Sequence, residues 1–200
     1  MTPEGESAVR IVYLHGFRSS PASRKAVQLR AALADRPGAR WSWACPQLPA
    51  SPREAIMVAL QAIGPTPPAA LALVGSSLGG YYATHLAERL GCRAVLLNPA
   101  IRPYDDLRAH LGRLTVHGSV DTIDMKPHYL AELIGIDTPV LTLPQRYLLI
   151  AATGDDVIDW RTMVAKYRDS PQRVVEGSDH ALDAFADHLD AVLHFCGVAP

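Results

Sequence analysis

The sequence predicts an α/β fold, with a mostly parallel central sheet of about six strands and helices on both faces. Short apolar runs rich in β-branched residues alternate with longer segments whose apolar residues recur at helical spacing. Polar residues suited to chemistry follow directly after several of these runs. In a parallel sheet the carboxyl ends of the strands form the ligand-binding edge, so we expect the strands to position one site.

The strand segments are short, apolar and bounded by Gly, Pro or polar turn residues. Ser51 and Glu54 have the spacing of a helix-starting capping box, and Asp159 is placed to cap another helix. A Ser-Ser-Pro sequence at 19–21 indicates a further helix start. The predicted strands are 9–14, 41–45, 71–74, 94–97, 145–151 and 173–175, and the predicted helices are 22–35, 52–63, 77–90, 160–168 and 182–196.

Residues 101–146 interrupt this alternation of strands and helices. The segment is rich in histidine and proline, and it has two short amphipathic stretches at 104–112 and 127–135. We expect a single domain over residues 1–200, in which the insertion at about 101–146 forms a small helical cap over the site.

Composition and charge argue against several classes of function. Apolar residues make up 48% of the 200 residues and charged residues 20%, as is typical of a soluble globular protein. A net charge of -1 predicts neither a nucleic-acid partner nor an anionic membrane partner. The three separated cysteines form no disulfide framework or metal motif. Since neither a signal peptide nor a membrane span is evident, we expect a cytoplasmic protein.

The apolar run at 71–74 leads into a Gly-x-Ser-x-Gly motif at 75–79, and a helical pattern follows at once. This is the strand–turn–helix context of a nucleophile elbow, in which a sharp turn exposes the central serine, here Ser77. A glycine-rich turn without chemistry is the alternative. A phosphate-binding loop is disfavoured, since no Gly-Lys-Ser or Gly-Lys-Thr sequence follows.

A serine nucleophile needs a base to take its proton and an acid to fix the tautomer of that base. Ser77 is followed in order by Asp155 or Asp156 and then by His180, each in a loop after a strand. Asp155 is favoured as the acid because it leaves the strand first, and Asp156 is the alternative. Asp179 is interpreted as a turn residue, since a side chain seldom reaches the ring of its sequence neighbour.

Backbone N–H groups are the expected oxyanion donors, one from Leu78 after the serine and one from Phe17 in the loop after the first strand. His15 is interpreted as a brace for that loop. Cys45 is followed by proline, so a buried structural role is favoured over a thiol nucleophile. The insertion contains three histidines for which surface or packing roles are favoured, with substrate contact as the alternative: His110, His117 and His128.

Several motifs taken together resemble the YqiA/YcfP-like α/β-hydrolase-fold esterases of bacteria, over about residues 9–196. The resemblance implies a serine hydrolase that acts on short acyl esters and on acyl-CoA thioesters. It also implies Ser77 as nucleophile, Asp155 as acid and His180 as base. The insertion departs from the family pattern at 117–122, so no substrate preference is carried over. The matching motifs are 13–17 with 19–21, 75–83, 98–100 with 102–104, 153–159 and 176–180.

We therefore expect a carboxylesterase or thioesterase that cleaves small-molecule acyl substrates through an acyl-enzyme. This chemistry requires no metal and no organic cofactor. The alternatives are an acyltransferase with the same triad and a non-catalytic binding protein of the same fold. The sequence predicts neither the acyl length nor the oligomeric state.

Overall fold

The computed structural model describes residues 8–198, which form a parallel six-stranded sheet and a separate antiparallel hairpin. The order in the main sheet is β2-β1-β3-β4-β7-β8, and strands β5 and β6 form the hairpin. All six predicted strands are present, and the α/β fold is confirmed. The strands are β1 (Val9–Leu14), β2 (Trp41–Ala44), β3 (Leu71–Ser76), β4 (Arg93–Leu97), β5 (Gly112–Thr115), β6 (Thr122–Met125), β7 (Tyr147–Ala152) and β8 (Gln172–Val175).

Helices cover both faces of the main sheet. Alternate residues of β1 point to opposite faces: Ile11 and Tyr13 pack towards α1 and α7, while Val12 and Leu14 pack towards α2 and α3. Both faces are therefore buried, which explains the nearly continuous apolar runs of the strands. The helices are α1 (Arg24–Ala34), α2 (Pro52–Ile63), α3 (Leu78–Leu90), α4 (Pro103–Asp106), α5 (His128–Gly135), α6 (Trp160–Lys166) and α7 (Leu189–Cys196).

No helix within residues 8–198 has the length and apolar character to cross a membrane.

Several predicted helix bounds differ from the observed ones. Helix α1 begins at Arg24 rather than residue 22, because Ser20 Oγ accepts from Ala22 N–H in a preceding turn. Helix α6 ends at Lys166 rather than residue 168. The last predicted helix is divided at His188 into a 3₁₀ segment, Asp183–His188, and α7. Leu182 has a left-handed backbone with φ of 55°, so the 3₁₀ segment begins only after it.

The insertion between β4 and β7 was predicted to be a small helical cap. This prediction was wrong in part, because β5 and β6 form a hairpin within the insertion. The hairpin is held by the loop after β1: Arg18 Nε donates to Thr115 O at 2.6 Å, and His117 N–H donates to Arg18 O at 2.7 Å. These contacts join residues far apart in sequence, so the local pattern of 112–125 did not indicate them.

The N-terminus of α2 is capped in part as predicted and in part by the insertion. Ser51 Oγ accepts from Glu54 N–H at 3.3 Å, which is the predicted serine half of the capping box. Glu132 of α5 adds a carboxylate from outside the helix, since its Oε2 accepts from Ser51 Oγ at 2.9 Å and from Arg53 N–H at 3.0 Å. Residue Tyr81 of α3 adds a second tie by donating to the Leu133 carbonyl at 2.8 Å. Helix α5 is thus fixed against both α2 and α3.

The turn from β3 into α3 leaves no room for side chains. A Cβ on Gly79 would lie 1.9 Å from the carbonyl oxygen of Leu14, and one on Gly75 would lie 2.3 Å from Gly79 O. The partners are backbone atoms, which cannot rotate away. The two glycines of the motif therefore allow α3 to start directly against the end of β1.

We predict that Gly79→Ala lowers the free energy of unfolding by about 3 kcal/mol, because the added methyl group must displace backbone of the core. Gly135→Ala is the matched control, since a Cβ there meets nothing within 4 Å. It should change the stability by less than about 1 kcal/mol, in the stabilising direction. Urea denaturation of the two variants measures the difference, and equal stabilities would contradict the close approach.

Candidate active site

Ser77 lies at the turn between β3 and α3 in a strained backbone conformation, with φ of 54° and ψ of -122°. Its N–H donates to Leu97 O at 3.0 Å, and its carbonyl accepts from Ala100 N–H at 3.0 Å. These two bonds tie the turn to the end of β4 and its following loop. Strain at a non-glycine residue persists only where surrounding structure enforces it, and here the glycine contacts and β4 do so.

His180 and Asp155 meet at the carboxyl edge of the sheet, at a distance of 2.7 Å between His180 Nδ1 and Asp155 Oδ2. The Asp155 side chain is fully buried, and the His180 side chain is 26% exposed. Asp155 Oδ1 accepts from the N–H groups of Val157 at 2.9 Å and Ile158 at 2.8 Å. The carboxylate is therefore held by its own loop, and Nε2 is the ring nitrogen of His180 left for other partners.

The other predicted carboxylates have separate places. Asp156 is exposed and lies on a cavity wall, whereas Asp155 makes the bond to His180. Asp159 caps α6, as predicted, by accepting from Arg161 N–H at 3.0 Å. Asp179 accepts from Asp183 N–H at 3.2 Å, which fits the predicted turn role.

Asn98 is a site residue that sequence reasoning did not identify. Its side chain is buried, and Nδ2 donates to the carbonyl oxygens of Asp179 at 3.0 Å and His180 at 3.1 Å. Its Oδ1 accepts from Ala152 N–H at 2.8 Å. The amide thus joins the His180 loop to the end of β7 and orients the histidine. One signal in the sequence could have indicated this role. Asn98 directly follows the apolar strand 94–97, and a polar side chain buried at such a place needs hydrogen-bond partners.

The loop after β1 packs directly against the serine turn. A Cβ on Gly16 would lie 3.2 Å from Ser77 Cβ, so this loop passes as close as a glycine allows. Phe17 follows it and lines a cavity together with Ser77 and Leu78. Leu78 is the first residue of α3, so its N–H has no acceptor within the helix. The structure brings both predicted oxyanion donors to the wall that Ser77 occupies.

His15 uses both ring nitrogens within the protein. Its Nδ1–H donates to Gly16 O at 2.9 Å, and its Nε2 accepts from Leu48 N–H at 3.0 Å. The side chain is buried, and burial lowers the pKa of His15 below its ordinary value. A histidine so engaged has no nitrogen left to act as a base on substrate, in agreement with the predicted brace.

Two cavities meet at Ser77 and His180. The larger of the two, of about 420 Å³, is bounded by Tyr13, Ser23, Lys25, Ser77 and His180. The smaller, of about 230 Å³, has apolar walls from Leu78, Leu107, Val157 and Ile158 and polar walls from Arg18, Asp106, His110 and His117.

The histidines of the insertion divide between these cavities and the surface. His110 lines the smaller cavity and His117 lines both, although surface or packing roles were favoured for them. The ring of His128 instead packs edge-on against Tyr129. Cys45 is a free thiol that is half-buried rather than buried as predicted. Its partial burial raises the pKa to about 11, which disfavours the thiolate that a nucleophile needs.

The lowered pKa of His15 predicts a dependence of stability on pH. The native protein keeps His15 neutral at a pH where the unfolded chain already protonates it, so unfolding takes up a proton. Stability should therefore fall on acidification, from about pH 6.5 down to the native pKa. His15→Gln should remove this part of the slope in urea denaturation. An NMR titration that gave His15 a pKa above its ordinary value would contradict the account.

Solved structures share the fold at low sequence identity. An Agrobacterium vitis protein matches with a TM-score of 0.72 and 16% identity, over 92% of this chain and 88% of that one. The esterase domain of a Rhodothermus marinus protein matches with a TM-score of 0.68 and 18% identity, over 98% and 88%. Est1E of Butyrivibrio proteoclasticus, solved with ferulic acid, matches with a TM-score of 0.65 and 14% identity, over 97% and 90%.

These likenesses show the α/β-hydrolase fold. The sequence model of the uncharacterised protein family UPF0227 matches residues 10–197. The protein therefore belongs to UPF0227, the family of YqiA and YcfP.

Proposed function

We propose that the protein is a serine hydrolase that cleaves esters or thioesters of small acyl substrates, with Ser77, His180 and Asp155 as its catalytic triad. The single observation that carries the proposal is the 2.7 Å bond between Asp155 and His180 beside the cavities that Ser77 also lines. A buried carboxylate on one ring nitrogen leaves the other nitrogen to act as base on the serine.

In the first half-reaction, His180 Nε2 accepts the proton of Ser77 Oγ as Oγ attacks the acyl carbon. The Asp155 carboxylate fixes the Nδ1–H tautomer and stabilises the imidazolium that forms. The N–H groups of Val157 and Ile158 hold the other Asp155 oxygen, so the carboxylate keeps its orientation while the charge on the histidine changes. Asn98 holds the backbone of His180 in place throughout.

The N–H groups of Phe17 and Leu78 are the proposed donors to the oxyanion. The N-terminus of α3 adds its partial positive charge at the same point, because Leu78 is the first helical residue. Groups that are fixed before the reaction stabilise the developing charge without reorganisation. The loop that carries Phe17 passes close to Ser77 at Gly16.

The leaving alcohol or thiol takes the proton from His180 as its bond to the acyl carbon breaks. Water then attacks the acyl-enzyme and gives a proton to His180, which returns it to Ser77 Oγ as the carboxylic acid leaves. Every proton in this scheme moves between named residues, substrate and water. Some structures of similar fold are esterases, which supports the reaction class. The assignment of catalytic roles rests on Ser77, Asp155 and His180 of this chain, because a fold alone does not define an activity.

Asp155→Asn should lower kcat for p-nitrophenyl butyrate by up to about 10⁴-fold, because an amide favours the wrong histidine tautomer. The adjacent Asp156→Asn is the matched control and should keep kcat within about threefold. Its carboxylate is exposed, and His180 bonds to Asp155 instead, so Asp156 contributes little to the stabilisation of the charged histidine. Ser77→Ala should abolish the acyl-enzyme and leave only the background rate.

Steady-state kinetics of the three variants and of the wild type, each checked for an unchanged unfolding midpoint, provide the measurement. A greater loss in Asp156→Asn than in Asp155→Asn would assign the acid differently. Full activity in Ser77→Ala would rule out the serine mechanism.

A further inference from the structure

Four residues within 8–198 line both of the cavities that meet at the proposed active site: Phe17, Ser77, His117 and His180. They therefore surround the junction of the two cavities. The proposed mechanism assigns three of them, with Ser77 as nucleophile, His180 as base and Phe17 as an oxyanion donor. His117 shares their position and has no part in that mechanism.

The His117 side chain is open to a ligand. The residue is exposed, and the other three residues of the junction are each partly exposed, so a molecule in the cavities can reach all four. Among the described residues, the imidazole of His117 forms no hydrogen bond and no ion pair, unlike those of His15 and His180. A neutral imidazole has one N–H donor and one acceptor nitrogen, and both are free here for a substrate.

The β5–β6 hairpin holds the backbone of His117 against the loop after β1. His117 N–H donates to Arg18 O at 2.7 Å, and Arg18 Nε donates to Thr115 O at 2.6 Å. Arg18 has a left-handed backbone with φ of 56°, a conformation that persists in a non-glycine residue only where its surroundings enforce it. Because Arg18 directly follows Phe17, these bonds fix His117 beside the loop of the proposed oxyanion donor.

His117 is unsuited to the role of base. The base of a triad needs a carboxylate on its second ring nitrogen, and Asp155 bonds to His180 instead. Partial desolvation of the ring, the charge of Arg18 and the charge that His180 takes up all lower the pKa of His117. The ring is therefore neutral at neutral pH, and it stays neutral when His180 is protonated. A neutral ring can donate a hydrogen bond without giving up its proton.

The leaving-group oxygen is the atom of the scissile ester that most needs a further donor. The carbonyl oxygen has two proposed donors, the N–H groups of Phe17 and Leu78. The leaving oxygen gains negative charge as its bond to the acyl carbon breaks, and the proposed mechanism gives it only the proton of His180. A fixed donor stabilises such a developing charge without reorganisation. The junction of the cavities, where His117 lies, is also where the acyl and alcohol halves of a substrate meet.

We propose that His117 is a further catalytic residue, whose imidazole N–H donates a hydrogen bond to the leaving-group oxygen as its bond to the acyl carbon breaks. This inference rests on the proposed function, because it concerns the same site and the same reaction. His180 still gives its proton to the leaving oxygen, and His117 keeps its own proton throughout. A strongly basic alkoxide gains most from this donor, and a thiolate, which is much less basic, gains little. The substrate class is therefore oxygen esters of simple alcohols rather than thioesters.

The test compares three butyryl substrates that differ in the basicity of the leaving group. p-Nitrobenzyl butyrate releases a strongly basic alkoxide, p-nitrophenyl butyrate releases a weakly basic phenolate, and S-(p-nitrobenzyl) thiobutyrate releases a thiolate. All three form the same butyryl-enzyme, and kcat/KM reports the steps up to its formation. The ratio of kcat/KM between two substrates therefore isolates the departure of the leaving group.

His117→Phe keeps a planar ring and removes the donor. It should lower kcat/KM for p-nitrobenzyl butyrate by roughly ten- to a hundredfold, the effect of one hydrogen bond to a charged group, and for the other two substrates by less than about threefold. His117→Gln keeps an N–H donor and should lose less than His117→Phe. Both variants should keep the Tm of the wild type, because the ring has no partner among the described residues to lose.

Two other histidines of the insertion are matched controls. His128→Phe changes an exposed residue that lines neither cavity, so it should leave all three kcat/KM values unchanged. His110→Phe alters the smaller cavity alone, so it should change the three values by similar factors. A ratio of benzyl to phenyl kcat/KM that falls as far in His110→Phe as in His117→Phe would contradict the inference.

The outcomes separate this inference from the proposed function. Equal losses for all three substrates in His117→Phe would show that the hydrogen bond is not to the leaving oxygen, and no loss would remove His117 from the reaction. Either result overturns the inference and leaves the hydrolase intact. If the wild type turned over none of the substrates, or Ser77→Ala turned them over fully, the proposed function would fail and this inference with it.

Discussion

The close approach of α3 to the end of β1 is the constraint on which the site depends. The backbone of Gly79 lies so near the Leu14 carbonyl that a single carbon atom has no place between them. Because the helix begins there, the turn before it must be sharp, and Ser77 takes the strained conformation at its apex. The same contact sets the path of the loop after β1, which passes Ser77 at Gly16 and continues to Phe17. This packing contact thus brings the serine turn and the loop of Phe17 next to each other, and the hydrogen bonds of His15 and Arg18 hold that loop.

The end of β4 organises the other half of the site. Leu97 O accepts from the N–H of Ser77, and the adjacent Asn98 bonds to the loop of His180 and to the end of β7. Asp155 follows β7 by only a few residues and meets His180 from that side. Three loops from three strands are therefore fixed to each other through hydrogen bonds, and an α/β sheet with both faces buried keeps their strands in register.

The sequence predicted the strands well because apolar, β-branched runs are a local property of the chain. It also predicted the caps at Ser51 and Asp159, whose hydrogen bonds span only two or three residues. The β5–β6 hairpin was missed, since its attachment runs through Arg18, almost a hundred positions away. The start of α1 and the start of the 3₁₀ segment before α7 depend on turn geometry at Ser20 and Leu182 that composition does not reveal.

The order of motifs along the chain predicted that Asp155 and His180 meet at the edge of the sheet, but it did not indicate the groups that hold them. The choice between Asp155 and Asp156 depends on how one loop turns, and the N–H groups of Val157 and Ile158 fix the first of them. Asn98 begins the matching motif at 98–100, yet its role was not predicted, because that role lies in three contacts distant in sequence.

The central claim, that Ser77 is a nucleophile activated by His180, is tested most directly by covalent labelling with a fluorophosphonate probe. Mass spectrometry of the digested protein should find the adduct on the peptide that contains Ser77. Ser77→Ala should not be labelled, and labelling of His180→Ala should be slower than that of the wild type by at least about a hundredfold. Equal labelling of wild type and Ser77→Ala, or no labelling of the wild type, would contradict the account.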